Sequence, residues 1–165
     1  MNKKRVAVFA LLIVGGLTFA GYKLHNRPVT ASTSNLPAAK PQAREALRQF
    51  MQSKVHQEYT FLSFTIWHDR PLTPEKMDSI AMSSSRVMDL SKELTSYAAM
   101  YKDQGWSSED VNFFEEKRLQ LSRVAEELNH AAKEHNSTEV INFFMHMDST
   151  CQSCHKRFRP DLQWI

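Results

Sequence analysis

Glycine is almost missing from most of this chain. Four occur in 165 residues, and Gly15, Gly16 and Gly21 lie together in one hydrophobic run near the amino end. Beyond that run only Gly105 remains, which argues for helices over hairpins. Acidic groups are absent from residues 1–40, where six basic ones stand: Lys3, Lys4, Arg5, Lys23, Arg27 and Lys40. Taking these from the 21 basic residues leaves 15 against 18 acidic, so the formal +3 of the chain becomes −3 over residues 41–165. No basic stripe exists there, which argues against nucleic acid as a partner. Cysteine is scarce as well, with only Cys151 and Cys154, so no disulfide framework holds the fold. A mix of 42% hydrophobic and 24% charged residues over this length predicts one globular domain.

What is present begins with an address. The amino end "MNKKRVAVFALLIVGGLTFAGYKLHNRP" has a basic start, an uncharged run over residues 6–22, then Lys23 and Arg27. A basic amino end stays in the cytoplasm, so the chain beyond the apolar run is exported. Seventeen uncharged residues are at the short limit for a spanning helix and slightly long for a signal-peptide core. Cleavage after Ala20 would put Thr18 at the small position, and the "VTA" ending at Ala31 lies too far behind the apolar core. Both readings stand, and the uncleaved anchor is favoured. Residues 1–24 are thus a signal-anchor or signal peptide, and residues 25–41, carrying three of the six prolines, a flexible tether. The domain, residues 42–165, is expected on the periplasmic side of a bacterial inner membrane, anchored, or free in the periplasm if the segment is cut.

Beyond the tether lie four amphipathic segments. Over residues 42–68 Leu47, Met51, Val55, Tyr59, Leu62 and Ile66 recur at spacings of four and three, one stripe of a helix. Pro71 breaks it, and Thr73 as N-cap with Pro74 at the first helical position starts a second helix to about Lys102. Its inward residues are Met77, Ile80, Ala81, Val87, Leu94, Ala98 and Tyr101. Gly105 then marks a stop, and Ser107 with Asp110 three residues on starts a third helix. That helix presents Val111, Phe114, Leu121, Val124, Leu128 and Ala131. Asn136 with Glu139 caps a fourth, which presents Val140, Phe143, Met147, Cys151, Cys154 and Phe158. The "NST" at Asn136 matches a glycosylation acceptor but reads as this turn. Four helices with short links imply an all-α, antiparallel up-down-up-down four-helix bundle.

The fourth helix carries the chemistry. "CQSCH", residues 151–155, is the attachment pattern of a c-type haem: two thiols form thioethers with the vinyl groups and the adjacent imidazole becomes an axial iron ligand. On a helix Cys151 and Cys154 are neighbours on one face and His155 follows Cys151 by one turn, so all three can address one flat ring. The alternatives are weaker. Zinc would need ligands from the scattered His56, His68, His130, His135 and His146; a thioredoxin-like pair would need a βαβ context; a disulfide across three helical residues is strained.

"CQSCHKRFR" resembles the Cys-x-x-Cys-His-x-x-(Tyr/Phe)-Arg ending of the class II c-type cytochromes, the cytochrome c-prime family. "WSSEDVNFF" opening the third helix and "AREALRQFM" on the first extend the similarity over roughly residues 41–161. The resemblance implies a four-helix bundle with one covalent haem c: Cys151 and Cys154 holding the porphyrin, His155 as proximal ligand, Phe158 packing beside it, and Arg159 near the imidazole or a propionate. Bulk packing also suffices for Phe158, and a surface cation at a helix end for Arg159.

By the same resemblance the distal face is covered from the start of the first helix, commonly four positions after an arginine. A Met there gives a six-coordinate electron-transfer haem, and an apolar residue an open, gas-binding one. Here the pattern departs, because Arg48 follows Arg44 by four and Gln52 follows Arg48 by four. A register shifted by one residue brings up Leu47 or Met51. In antiparallel packing at about 1.5 Å per residue, His155 falls level with about residue 46, so Met51 is in reach and His56, roughly 15 Å along, is a poor second ligand. Met51 is therefore the candidate distal ligand, with core filler as its bland alternative, and Leu47 or Phe50 would block an open site.

The expected molecule is a membrane-tethered monohaem cytochrome that relays electrons to redox partner proteins, with no turnover chemistry of its own. The runner-up is a five-coordinate haem protein that binds or senses nitric oxide or carbon monoxide. Phe61, Phe64 and Trp67 form either a homodimer face, as bundles of the family often pair through their first two helices, or part of the core.

Overall fold

The computed structural model describes residues 41–159; the predicted anchor, the tether up to residue 40 and the last six residues lie outside them, and Pro41, assigned to the tether, is the first residue of a helix. Helix α1 covers Pro41–Phe50, a π-helical turn covers Met51–Val55, and α2 covers His56–Trp67. Then come α3, Pro74–Glu93, and α4, Thr95–Lys102, followed by α5, Ser108–Lys133, and α6, Ser137–Phe158. No strand occurs among the described residues. No helix among them is long and apolar enough to cross a membrane.

Local chemistry sets the helix starts. Thr73, Ser107 and Asn136 each accept, through a side-chain oxygen, the backbone N–H three residues on, at Lys76, Asp110 and Glu139. Pro74 occupies the first helical position of α3. Gly105, with φ +86°, supplies the left-handed turn between α4 and α5.

Two expected long helices are interrupted. Ser53 Oγ donates back to the Gln49 carbonyl at 2.6 Å, and His56 N–H reaches the Met51 carbonyl five residues back, the widened bonding of a π turn. The second helix breaks at Leu94, where Tyr97 N–H bonds to the Leu94 carbonyl only three residues back, at 3.1 Å. Ser91 and Ser96 bracket the break by back-bonding to Met88 and Glu93. Such hydroxyl-to-carbonyl bonds compete with the helical ladder and bend it.

Cross-helix pairs show the antiparallel bundle. Between the first helical run and α3, Lys54 meets Glu93 while Glu58 meets Ser83 and Arg86. Between α3 and α5, Ala81 meets Asn129 and Ser91 meets Arg118. Asp110 meets Arg157 across α5 and α6, and Tyr59 meets Asp148 across α2 and α6. The centre is filled by Leu62, Ile66, Ile80, Leu128, Val140 and Phe144, all essentially closed to solvent. The inward stripes predicted for all four helices are the ones buried or half-buried. Phe61, Phe64 and Trp67 are not core, being 39%, 59% and 41% exposed.

Candidate haem site

At the end of the bundle where α1 begins and α6 ends, the helices splay around a cavity of about 420 Å³, a size suited to a cofactor. Helix α6 contributes Thr150, Cys151, Cys154, His155 and Phe158 to its wall, followed by Arg159. The first helix contributes Leu47, Met51, Val55, His56 and Tyr59, and Leu94, Tyr101, Trp106, Phe114 and Leu121 close the rest.

One helical turn therefore brings both thiols and the imidazole to one apolar space, as the spacing required. Burial, then the neighbouring Cys154 and Asp148, pushes the Cys151 thiol up to about 12; burial does the same to Cys154, opposed by Lys117. Both sulfurs are thus neutral thiols packed against the core. Burial, and then the charge of Arg159, holds the His155 imidazole below its ordinary pKa, so the ring is neutral, the form that ligates iron.

The rim is cationic. Arg44, Arg48, Lys117, Arg118 and Arg159 line the cavity, and among the described residues no aspartate or glutamate does, in a domain whose net charge is negative. Three of these cations are held by acids that stay out of the cavity. Arg48 pairs with Glu45, Lys117 with Glu116 at 2.9 Å, and Arg118 with Glu115 at 2.6 Å. The Trp106 indole Nε1 is buried in the wall with no acceptor among the described residues. Its ring lies between Tyr101, at 4.0 Å, and Phe158, at 4.7 Å, in a near-parallel stack. A flat, apolar, doubly carboxylated group fits this lining: thiols and imidazole at one wall, hydrocarbon around, and cations and an indole donor for the carboxylates.

A family model described as cytochrome c' matches residues 42–159. The chain belongs to the cytochrome c' family. That membership makes it a c-type cytochrome whose cofactor is one covalently attached haem c. Comparison with curated proteins and with solved structures gives no match in either case.

Of the residues expected around the haem, Leu47, Met51, Phe158 and Arg159 line the cavity together with the Cys-x-x-Cys-His set. Phe50 does not. It is buried away from the cavity, with its ring 5.3 Å from that of Tyr97 and the Lys54 ammonium over its face, so it packs α1 on α4. His56, set aside on distance along the axis, is nevertheless at the cavity wall, because the cavity extends along the first helix as far as Tyr59. Lys117 and Arg118 are cavity residues that the motif and its spacing did not point to. A signal was available: they lie between Phe114 and Leu121 on the inward stripe of the third helix, where a cation must answer to something inside. Among the described residues no group of three His, Cys, Asp or Glu is arranged to hold a metal ion.

Proposed function

We propose that Cys151 and Cys154 carry the haem, that His155 is its proximal ligand and Met51 its distal one, and that the protein relays single electrons. The observation that carries this reading is that the Met51 side chain, from the π turn after α1, and His155, from α6, line the same apolar cavity. The bound haem c supplies a one-electron iron couple. The residues do the rest. His155, neutral through burial, offers a nitrogen without first losing a proton. The thioether of Met51 favours the ferrous state and raises the potential relative to a histidine-only iron. Apolar Leu47, Val55 and Leu121 exclude water, which limits reorganisation when charge changes. Arg44 and Arg48, exposed on α1 at the cavity mouth, favour approach of redox partners that present carboxylates.

A second reading rests on the size of the same cavity. Where Met51 acts only as filler, the distal wall of Leu47 and Val55 would leave a coordination position open to nitric oxide or carbon monoxide, and gas binding is typical of the family.

In either case we place the domain on the export side of an inner membrane, held or delivered by the basic-then-apolar amino end. The exposed Phe61, Phe64 and Trp67 on α2 support pairing of two chains, which sedimentation at micromolar concentration reads directly.

Absorption spectra of the holoprotein test the haem reading. Low-spin ferrous bands that ignore carbon monoxide, and that turn high-spin and gas-sensitive in Met51→Ala, are expected. Bands in the parent protein that shift with carbon monoxide would move gas binding to first place. Absence of a covalent haem would overturn both readings.

A further inference from the structure

Tyr59 lines the cavity, yet its hydroxyl donates to the Asp148 carboxylate of α6 at 2.7 Å rather than pointing into water. Asp148 lies one turn before the Cys151–Cys154 pair, and its other oxygen accepts from Gln152 at 2.7 Å. Any neutral acceptor would satisfy a half-buried phenol. A carboxylate does more, because it can take the proton if the phenol is oxidised. Burial and the Asp148 charge also raise the pKa of Tyr59 well above the ordinary tyrosine value, so the resting group is the neutral phenol.

The ring of Tyr59 stacks on Phe144, with centroids 5.6 Å apart and 30° between planes. Phe144 is fully buried and meets Trp67 edge-on at 6.2 Å. Trp67 is 41% exposed, with the Arg70 guanidinium 5.9 Å from its ring centre. Eight residues separate Tyr59 from Trp67 on one helix, about 12 Å of rise. An easily oxidised phenol at the cavity and an easily oxidised indole at the surface are thus joined through one packed ring.

We propose that Tyr59 and Trp67 form a one-electron route from the haem site to the protein surface, with Asp148 as the proton acceptor, through which oxidising equivalents left by peroxide are drained from the cavity. This rests on the haem lying in that cavity and on peroxide displacing the Met51 thioether where that thioether is bound. Reduction of hydrogen peroxide to two waters takes two protons from solvent and two electrons, which the haem group would supply when bound. Tyr59 would return the first of these electrons, and the second by a later pass along the same route. Its O–H bond breaks, the proton moves to Asp148, and a neutral phenoxyl remains. Trp67 then reduces the phenoxyl, Asp148 hands the proton back, and the indole N–H proton leaves to water at the exposed edge; a one-electron donor in solution, such as ascorbate, restores Trp67 with a proton from water, and a second pass returns the other electron.

The experiment is freeze-quench electron paramagnetic resonance of the ferric holoprotein after one equivalent of hydrogen peroxide, with covalent haem verified by absorption in every variant beforehand. The parent should show a protein radical with tyrosyl hyperfine structure, and oxidation of Trp67 should appear by peptide mass spectrometry. Tyr59→Phe, which keeps the ring stack, should lower the radical at least tenfold and protect Trp67. Asp148→Asn should lower the yield several-fold, and Trp67→Phe should lengthen the life of the tyrosyl signal. An intact haem with an unchanged radical in Tyr59→Phe, or with no radical in the parent, overturns the route and leaves the haem reading standing. Failure of the parent to hold covalent haem overturns the haem reading and the route with it.

Discussion

Arg157, in the last turn of α6, donates from Nε to Asp110 Oδ1 at 2.8 Å, joining residues 47 apart in sequence. A second guanidinium nitrogen reaches Glu109 Oε1 at 2.9 Å, and the guanidinium carbon lies 4.7 Å from the centre of the Phe113 ring. The pair ties the start of α5 to the end of α6, two turns of helix that frame the cavity. It also suits both helix dipoles, acid at an N-terminus and cation at a C-terminus.

Arg157→Ala should therefore destabilise the fold by about 1–2 kcal/mol, read by thermal or urea unfolding. Burial alone would raise the Asp110 pKa, but the hydrogen bonds from Ser107 and Arg157 outweigh it and hold the carboxyl below its ordinary 3.8. A depressed folded-state pKa means this stabilisation is whole above the unfolded value and lost as pH falls through the folded one. The difference in melting temperature between the parent and Asp110→Asn should accordingly be constant near neutrality and shrink below about pH 4.

Attachment should need both sulfurs for full strength and neither for folding of the rest. In Cys151→Ala or Cys154→Ala one thioether remains, so haem should stay with the polypeptide through acid–acetone extraction. The double variant should release it. Haem staining after denaturing electrophoresis checks this, and retention in the double variant would remove both cysteines from the assignment.

Leu128 is closed to solvent in the core of the bundle, on α5, the helix that packs against both α3 and α6. Leu128→Ala should cost about 2–5 kcal/mol, the transfer of the lost methyl groups plus the cavity left behind. Urea unfolding followed by circular dichroism measures it.

Asn129 is buried on α5 and donates its amide to the backbone carbonyl of Ala81 on α3. Asn129→Ala removes this cross-helix bond and should cost about 1–2 kcal/mol. Asn129→Asp should cost more at neutral pH than at pH 4, because it places a carboxylate against a carbonyl oxygen. Equal losses at both values would show that water reaches the site.

Much of this protein was legible in its residues taken a few at a time. The three N-caps, the apolar stripes and the Cys-x-x-Cys-His turn each depend on neighbours within about one helical turn, and helical geometry alone then places Cys151, Cys154 and His155 on a common face. What only the tertiary structure decided is how each helix is rotated and how far along its length the bundle opens. Phe50 turns to Tyr97 and leaves the cavity, while Phe61 and Phe64 on the same helical run turn to solvent. His56 and Tyr59 reach the cavity wall past the π turn, and Lys117 and Arg118 stand on it as its cations. Tyr59 finds Asp148 at a separation of 89 residues. Periodicity specifies a buried face, but a face spans about a third of the helix, and its two edges go to core, cavity or water according to what the distant helices bring against them.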